Sequence, residues 1–570
     1  MIYRTIKTSL KSILKDEKLI QPQINTLVIK CNQIIIQSYQ FLRLYILYHY
    51  ENNLNLPEVN EKLISYIIKV QGIRDNRGKK SKDIKLLEDL NKFYEKEFQP
   101  LIKKEKYSLK NLTYLIPYLV KQIFTCYENN IKEHYFQHFK RFINKTTNNK
   151  ELSNEVKKII FGKKREDRSQ EALEWLKTHL KNIIPKEINK SLSYDLKVEP
   201  NKYLPSLLYM NSILEKEEIK LFQPLPLRND IVPKNITLDT ASLIMLFAKK
   251  GQKGKLLKDL SLTKDLIWRE IFKMDKKVFK NKHYKFDYLM ETDGISVSLL
   301  FFKEGERKEK KELNLENLSE EEKESFRERN IVGVDPGKRF LVYMVDDKEN
   351  KLKYSVCQRR FESTARGNKK ILEKEKVKNE ISGKEVNLSK LNSKTVDYKK
   401  FKKFIEEKTK LDNEVKDFYQ KELWRKMKWR QFVYLRSSED RFLKRIESSF
   451  GSDCILAYGN WSRSSQMKHF IPTKNKGIKK LIEKRFTTIT VDEYNTSKKC
   501  CGCHNYLKKE EYRLLTCSKC VSSENKNIVF RARDVNSSIN IRNIFRFYLT
   551  NGKRPDAFLR SSPSKIEGLS

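Results

Sequence analysis

Apolar residues recur three and four positions apart through most of residues 21–220, the period of an amphipathic helix, in stripes such as Tyr114, Leu115, Tyr118, Leu119 and Ile123. Such stripes are read as helix core rather than as ligand contacts. Ahead of them, residues 3–13 alternate as a strand does, so residues 1–20 open on a strand and a long helix over 21–50 follows. The period changes after residue 220. Prolines interrupt residues 221–228, residues 231–238 read as extended, and residues 285–302 read as two strands around the turn Thr292-Asp293-Gly294. Residues 1–20 and 221–302 together predict a small β-barrel into which a helical lobe, residues 21–220, is inserted. Within that lobe the polar stretch 145–170 predicts a mobile connection.

Residues 303–329 are almost wholly charged and read as a linker or exposed helix. Next comes an apolar strand, Ile331, Val332 and Val334, which delivers Asp335 into a Pro336-Gly337 turn, with Leu341–Val345 as its hairpin partner. Residues 398–446 form a long basic helix punctuated by Trp424, Trp429, Phe432 and Tyr434, rings that suit either stacking on bases or packing on a sheet. A buried strand follows at 453–462, a helix ends at Arg485, and Thr487–Glu493 is a further strand. On it Ile489, Val491 and Glu493 share one face by the two-residue period. The pattern predicts an α+β multidomain chain, with one domain built from residues 330–495 and 526–548, an insertion at 496–525, and a flexible tail at 549–570.

The chain has 570 residues and a formal charge of +45, from 119 Lys and Arg against 74 Asp and Glu. An excess of this size favours a polyanion partner, with affinity that falls steeply with salt as counterions are released. Lysine enrichment from an AT-rich genome is a second source of the same charge. No run of apolar residues is long enough to cross a membrane and the amino terminus lacks a signal-peptide core, so a soluble intracellular protein is expected. Of nine cysteines, Cys31, Cys126, Cys357, Cys454 and Cys501 are scattered, as in a reducing compartment. The other four form Cys500-x2-Cys503 and Cys517-x2-Cys520, separated by thirteen residues. That spacing suits two knuckles around one tetrahedral Zn²⁺ with no open position, which is a structural site. Cys501 and His504 are adjacent substitutes as ligands. Lys498, Lys499, Lys508, Lys509 and Arg513 on this cassette could guide a nucleic-acid strand, and a purely stabilising ribbon is the alternative.

An isolated Asp-Pro-Gly caps a turn. Here a second acid, Asp534, opens a helix as Arg533-Asp534-Val535-Asn536 just beyond the cysteines, with Val535 and Ile539 expected to pack inward and Arg531 available to a phosphate. Gly333-Val-Asp-Pro-Gly337, Thr496-Ser-x-x-Cys500 and Arg533-Asp-Val-Asn536 together resemble the RuvC-like nuclease half of the TnpB proteins, over residues 330–548. TnpB proteins place a catalytic glutamate at the end of the strand that here ends in Gly459. Tyr458-Gly-Asn-Trp-Ser462, Pro472–Gly477, Asp492–Cys500 and the segment 292–301 are similar to Fanzor, the TnpB-like family of eukaryotes and their viruses, in which the displaced glutamate serves the active site.

The resemblance implies a wedge β-barrel with an inserted recognition lobe, then an RNase H-like RuvC domain carrying a zinc ribbon. It implies an RNA-guided, transposon-associated DNA endonuclease: a monomeric, nuclear ribonucleoprotein with an omega-type guide RNA that cuts double-stranded DNA beside a short flanking motif. Its catalytic set is Asp335, Glu493 and Asp534, holding Mg²⁺, with two ions roughly 3.5 to 4 Å apart as is usual for such hydrolysis. Zn²⁺ falls to Cys500, Cys503, Cys517 and Cys520. Asp492, on the opposite face of the same strand, competes with Glu493, and Glu439 and Glu447 are remoter options. Two other functions stay open: a guided DNA-binding protein without cleavage, and a DNA-only transposase-like nuclease.

Overall fold

The structure, a computed structural model, describes residues 1–73, 84–103, 105–147, 149–162, 169–306, 313–461, 473–520 and 529–560. It is a mixed α+β chain that divides into two compact units. One comprises Met1–Glu306 and Glu373–Trp429, the other Arg307–Leu372 and Arg430–Ser570. The expected continuous domain over 330–495 is thus split, because residues 381–405 bury Ile381, Phe401 and Ile405 in the first unit.

In the first unit, strands β1 (Ile2–Ser9), β2 (Ile236–Asp239), β3 (Lys285–Thr292) and β4 (Ser296–Lys303) form an antiparallel sheet in the order β1-β4-β3-β2. The sheet is open where a barrel was expected. Edge strand β2 is only four residues long, since Asp239 caps a helix by accepting from Ser242 N at 2.8 Å. So short a strand cannot supply the tilt and stagger of closure. Helix α1 (Glu17–Glu51) starts where Asp16 accepts from Leu19 N at 3.0 Å, and between Ile34 and Leu47 it is buried all round. Helix α2 (Ile116–Thr146) buries Leu119, Ile123, Tyr127, Ile131, Tyr135, Phe139 and Ile143, one ridge of four-residue steps.

The expected connection over 145–170 contains a helix, Lys150–Phe161, with Val156 buried, and its residues 163–168 lie outside the described residues. The helix expected over 398–446 is two, α3 (Tyr398–Gln420) and α4 (Glu422–Phe450), separated where Lys421 turns extended at ψ 141°. Trp424 packs on Phe418 and Tyr419 and donates to Phe418 O at 3.0 Å, which makes it core. At the predicted turn, Asp293 Oδ1 accepts from Ile295 N and Ser296 N, and Gly294 sits at φ +86° against Asn25 and Arg425.

In the second unit, β5 (Ile331–Asp335), β6 (Phe340–Val345), β7 (Lys351–Ser355), β8 (Ile455–Gly459) and β9 (Thr487–Val491) form a mixed sheet in the order β9-β8-β5-β6-β7. Strands β5, β8 and β9 run parallel, while β6 and β7 are antiparallel to their neighbours. Val332, Val334, Leu456 and Tyr458 face Phe442 and Ile446 of α4 and Ile478 and Ile482 of α5 (Asn475–Ile482). On the other face, Ile331, Ile455, Ala457 and Val491 meet Ile541, Ile544 and Phe545 of α6 (Arg533–Asn551). Strands β10 (Lys508–Glu511), β11 (Leu514–Cys517) and β12 (Val529–Ala532) form a small separate sheet.

Two segments expected to be free of the core join it. Leu315, Leu318 and Phe326, within the charged stretch 303–329, are buried against β5 and α6, and a capping box at Ser319 and Glu322 starts a helix there. Residues 307–312 of that stretch lie outside the described residues. In the expected tail, Phe558 is buried in the same cluster, while residues 561–570 lie outside the described residues.

Helix α6 lies directly on β5 at Gly333. A Cβ there would overlap Ser538 O and stand 2.8 and 2.9 Å from Cβ and N of Arg542. Gly333→Ala is expected to lift the helix from the sheet and destabilise the unit by about 1–3 kcal/mol, the usual result of overpacking. Amide exchange across residues 533–551 should then accelerate, and unchanged exchange would contradict direct contact.

Candidate active site

The ends of the parallel strands set the geometry. Tyr458 is in register with Val334, and Gly459 with Val491, so Gly459 closes β8 beside the end of β5, where Asp335 stands. Gly459 offers no side chain. A Cβ on it would overlap Glu493 Oε2, and would stand 2.8 Å from Pro336 Cδ and 3.2 Å from Ile541 Cδ1. Glu493, two residues past the end of β9, has its carboxylate in the space left at the end of β8. The third acid comes from the first turn of α6, where Ser538 Oγ bonds back to Asp534 O at 2.8 Å and across to Tyr343 O of β6 at 3.0 Å.

Burial pushes the Asp335 carboxyl up to about 8, the negative charge of Asp534 adds to the rise, and Arg533 and Arg513 oppose it. Burial likewise pushes Glu493 up to about 9, helped by Asp335 and Asp492 and opposed by Arg533. Glu493 Oε2 is buried without a hydrogen-bond partner. Asp534 forms an ion pair with Arg513, which stands at φ +71° at the tip of the β10–β11 hairpin with its guanidinium over Phe340. Carboxylates that raise one another's proton affinity and leave a buried oxygen unsatisfied form a set short of positive charge. Hard oxygen donors of this kind fit a divalent cation.

The competing acids lie elsewhere. Asp492 accepts from Arg560 Nε and Nη2, both at 2.9 Å, and from Asn460 at 3.3 Å; the Arg560 bonds hold its carboxyl below the usual range. Its charge is already matched. Glu439 pairs with Arg359 at 2.8 Å and with Arg436 at 3.2 Å. Glu447 is exposed on α4.

The thiols of Cys500, Cys503, Cys517 and Cys520 lie within 4.8 Å of one another, with Cys500 to Cys520 at 3.6 Å and Cys503 to Cys517 at 3.4 Å. Sulfurs about 2.3 Å from a tetrahedral zinc are separated by about 3.8 Å, so the cluster can hold a metal ion such as zinc. His504 packs on Phe558 instead. Arg531 turns toward the sulfurs, its Nη2 3.3 Å from where a Cβ on Gly502 would be, so it lies against the cysteine cluster.

The face of α6 differs from the pattern expected. Val535 and Ile539 are only half-buried, while Asn536 and Asn540 are fully buried. Their Nδ2 groups both donate to Thr496 O, at 3.1 and 2.8 Å, and to Lys499 O, at 2.8 Å each. Asn536 Oδ1 also accepts from Cys501 N at 2.9 Å. Two buried amides thus clamp the start of the cysteine ribbon to the helix that carries Asp534. The four-residue spacing of two asparagines is the sequence signal for this clamp, and apolar periodicity alone passes over it.

A family known only as a domain of unknown function (DUF8286) matches residues 236–303. No curated protein matches the chain. The matched segment carries β2, β3 and β4 in the first unit, and it holds none of the three acids or four thiols. No helix among the described residues is long and apolar enough to cross a membrane.

Two predictions follow from the charges. Because Asp335 and Glu493 bind protons more tightly folded than unfolded, stability without divalent cation should fall as pH rises from about 4 toward 9. Glu493→Gln removes one of the two groups, so in magnesium-free buffer near pH 9 it should melt several degrees above the parent and near pH 4 no differently. A thermal scan at both pH values checks this, and a variant less stable at pH 9 would refute it. With the four thiols as a zinc site, Cys503→Ser should lose one equivalent of zinc by elemental analysis and open residues 496–520 to protease, since a metal on these ligands would close that ribbon.

Proposed function

We propose that this protein is an RNA-guided DNA endonuclease of the Fanzor type, with Asp335, Glu493 and Asp534 as its catalytic carboxylates. One observation carries the proposal: the Glu493 carboxylate fills the space at Gly459 beside Asp335, so the set that the resemblance requires is assembled from a different strand. The sheet order, three antiparallel strands followed by two parallel ones, supports an RNase H-like RuvC domain. The +45 charge suits a protein that grips a guide RNA and its heteroduplex by their backbones while base pairing reads sequence. The guide, the double-stranded DNA target, the flanking motif, the transposon association and the nuclear setting are proposed from the resemblance.

Bound Mg²⁺ supplies an activated water and a stabilised leaving oxygen for phosphodiester hydrolysis. Asp335 at the end of β5 and Glu493 just beyond β9 meet across the end of β8, where Gly459 leaves room, and offer oxygens from a buried site. Asp534 completes the set from a helix amino terminus, where the helix dipole favours its negative charge. Arg513 holds Asp534 in place, and Arg533 tempers the charge of the other two acids. The thiolate ribbon, taken as a zinc site, keeps Arg513 beside Asp534 through the hairpin that carries it.

The test is to purify the expressed protein with the nucleic acid it retains, sequence any bound RNA, and offer the complex DNA matching that RNA in the presence of Mg²⁺. One discrete RNA and metal-dependent cutting are expected. Asp335→Ala and Glu493→Gln should each lower cutting by more than the 10–100-fold typical of outer-shell changes, while Asp492→Asn stays within a few-fold of the parent. Bound RNA without cutting would indicate a guided binding protein, and cutting without RNA a transposase-like nuclease. Full activity in Glu493→Gln would remove that residue from the catalytic set.

A further inference from the structure

Past α6 the chain turns back onto the unit. Gly552, at φ +65°, ends the helix, and the residues after it return to the stretch that carries Glu493. Phe558 is 1% exposed in the core beside Leu315 and Leu318, with its ring edge-on to His504. An arginine stands on either side of it. Arg554 Nη2 donates to Asp492 O at 2.7 Å. Arg560 donates through Nε and Nη2 to the two oxygens of the Asp492 carboxylate, both at 2.9 Å, and its guanidinium lies over the Tyr494 ring.

Glu493 needs support of this kind from outside its own strand. Strand β9 stops at Val491, where Asn460 N donates to Val491 O at 3.0 Å. The Glu493 carboxylate is buried with Oε2 lacking a partner, so it does little to anchor itself. What holds it is the backbone around it. Val491 O is tied by Asn460, Asp492 O by Arg554, and Glu493 O by Thr496, whose N donates at 3.2 Å and whose Oγ1 donates at 2.9 Å. Asp492 is thus pinned through both its carbonyl and its carboxylate, which fixes the rotation of the chain from which Glu493 reaches the seat at Gly459. Two guanidiniums at Asp492 also offset its charge beside the next acid. Phe558 by itself would close the core; that residues 554 and 560 both end on the neighbour of Glu493 gives this segment a second task.

We infer that residues 552–560 form a strap that positions Glu493 toward a divalent cation, with Arg554 and Arg560 as positioning residues that act through Asp492. The inference rests on the acid set proposed above and extends it to what holds that set in place. Neither arginine takes part in the chemistry. Asp492→Asn keeps the carbonyl for Arg554 and an acceptor for Arg560, in keeping with the small effect expected of it.

The test uses the full-length protein with the RNA it retains, as Arg554→Met and as Arg560→Gln. The Arg560 side chain is 65% exposed, so the second variant should melt as the parent does. Without divalent cation, amide exchange over residues 491–498 should quicken about tenfold in Arg554→Met, the loss of one hydrogen bond from a charged donor. In Arg560→Gln it should quicken about threefold, within the range of an exposed ion pair. Exchange over residues 533–551 should match the parent in both. Mn²⁺, used in place of Mg²⁺, is then titrated by electron paramagnetic resonance, and its site is identified as the one that Asp335→Ala abolishes. Affinity there should fall about tenfold in Arg554→Met, as for outer-shell changes. In a Glu493→Gln background the same replacement should change it by no more than about twofold, because the residue to be positioned is gone.

Exchange that quickens equally over 533–551, exchange over 491–498 that neither variant alters, or a Mn²⁺ loss of the same size with and without Glu493 would overturn the inference. A parent with no Mn²⁺ site dependent on Asp335 would count against the nuclease instead, and the strap would then be decided by exchange over 491–498 alone.

Discussion

The second unit depends on the absence of a side chain at Gly333. Helix α6 can rest its backbone on the central strand only because nothing projects between them, and the contact fixes the helix along β5 and across it. Three consequences follow from that seat. The first turn of the helix carries Asp534 to the end of the strand that carries Asp335; Ser538 bonds to β6; and Asn536 and Asn540 hold the start of the cysteine ribbon. One close contact between helix and sheet therefore registers the acid cluster and the thiol cluster together.

The two clusters resolve the same difficulty, an excess of negative charge, by different chemistry. Four cysteine sulfurs gather where they can hold a metal ion such as zinc, a soft donor set with no open position, and Arg531 turns toward them. The acids are hard donors at the open ends of strands, and the cations that reach them, Arg513 and Arg533, leave the Glu493 oxygen unmatched. A closed soft site suits structure, whereas an open hard site suits exchange with solvent and substrate. Arg513 stands on a hairpin of the ribbon and pairs with an acid of the other cluster, so order in the first site bears on charge in the second.

Much of this was legible in the residues. The strand before Asp335, the Thr-Asp-Gly turn and the two-knuckle cysteine spacing each follow from local chemistry, and the structure has them at those places. Strand parity sets Glu493 apart from Asp492 in the sequence, although the strand stops at Val491 and both acids lie beyond it; the structure pairs Asp492 with Arg560, a residue 68 positions away that no local pattern could supply. The misses share that long-range character. Barrel closure depended on the length of β2, cut short by a cap at Asp239. The inward face of α6 is polar over its first two turns because its partners there are carbonyls of a distant loop, and the tail is anchored by Phe558 in the core and by Arg554 and Arg560, which bond Asp492. The linker 303–329 misled for a similar reason, since three apolar residues among many charges suffice to dock a short helix.

The seat of Glu493 at Gly459 has a historical consequence. In the TnpB proteins that the chain resembles, the carboxylate hangs from the strand that here ends in glycine, so what persists is a point in space rather than a position in the chain. Because the Glu493 oxygen fills the volume that any side chain at 459 would need, the two arrangements exclude each other sterically. Two neighbouring strands cannot both present the acid. Under the proposed function, a lineage passing from one arrangement to the other by single replacements crosses either a crowded intermediate or one with an empty seat, and each would be selected against while cutting is required. Such a barrier makes the arrangement a durable marker of descent, readable from two residues, wherever sequence similarity elsewhere has worn away.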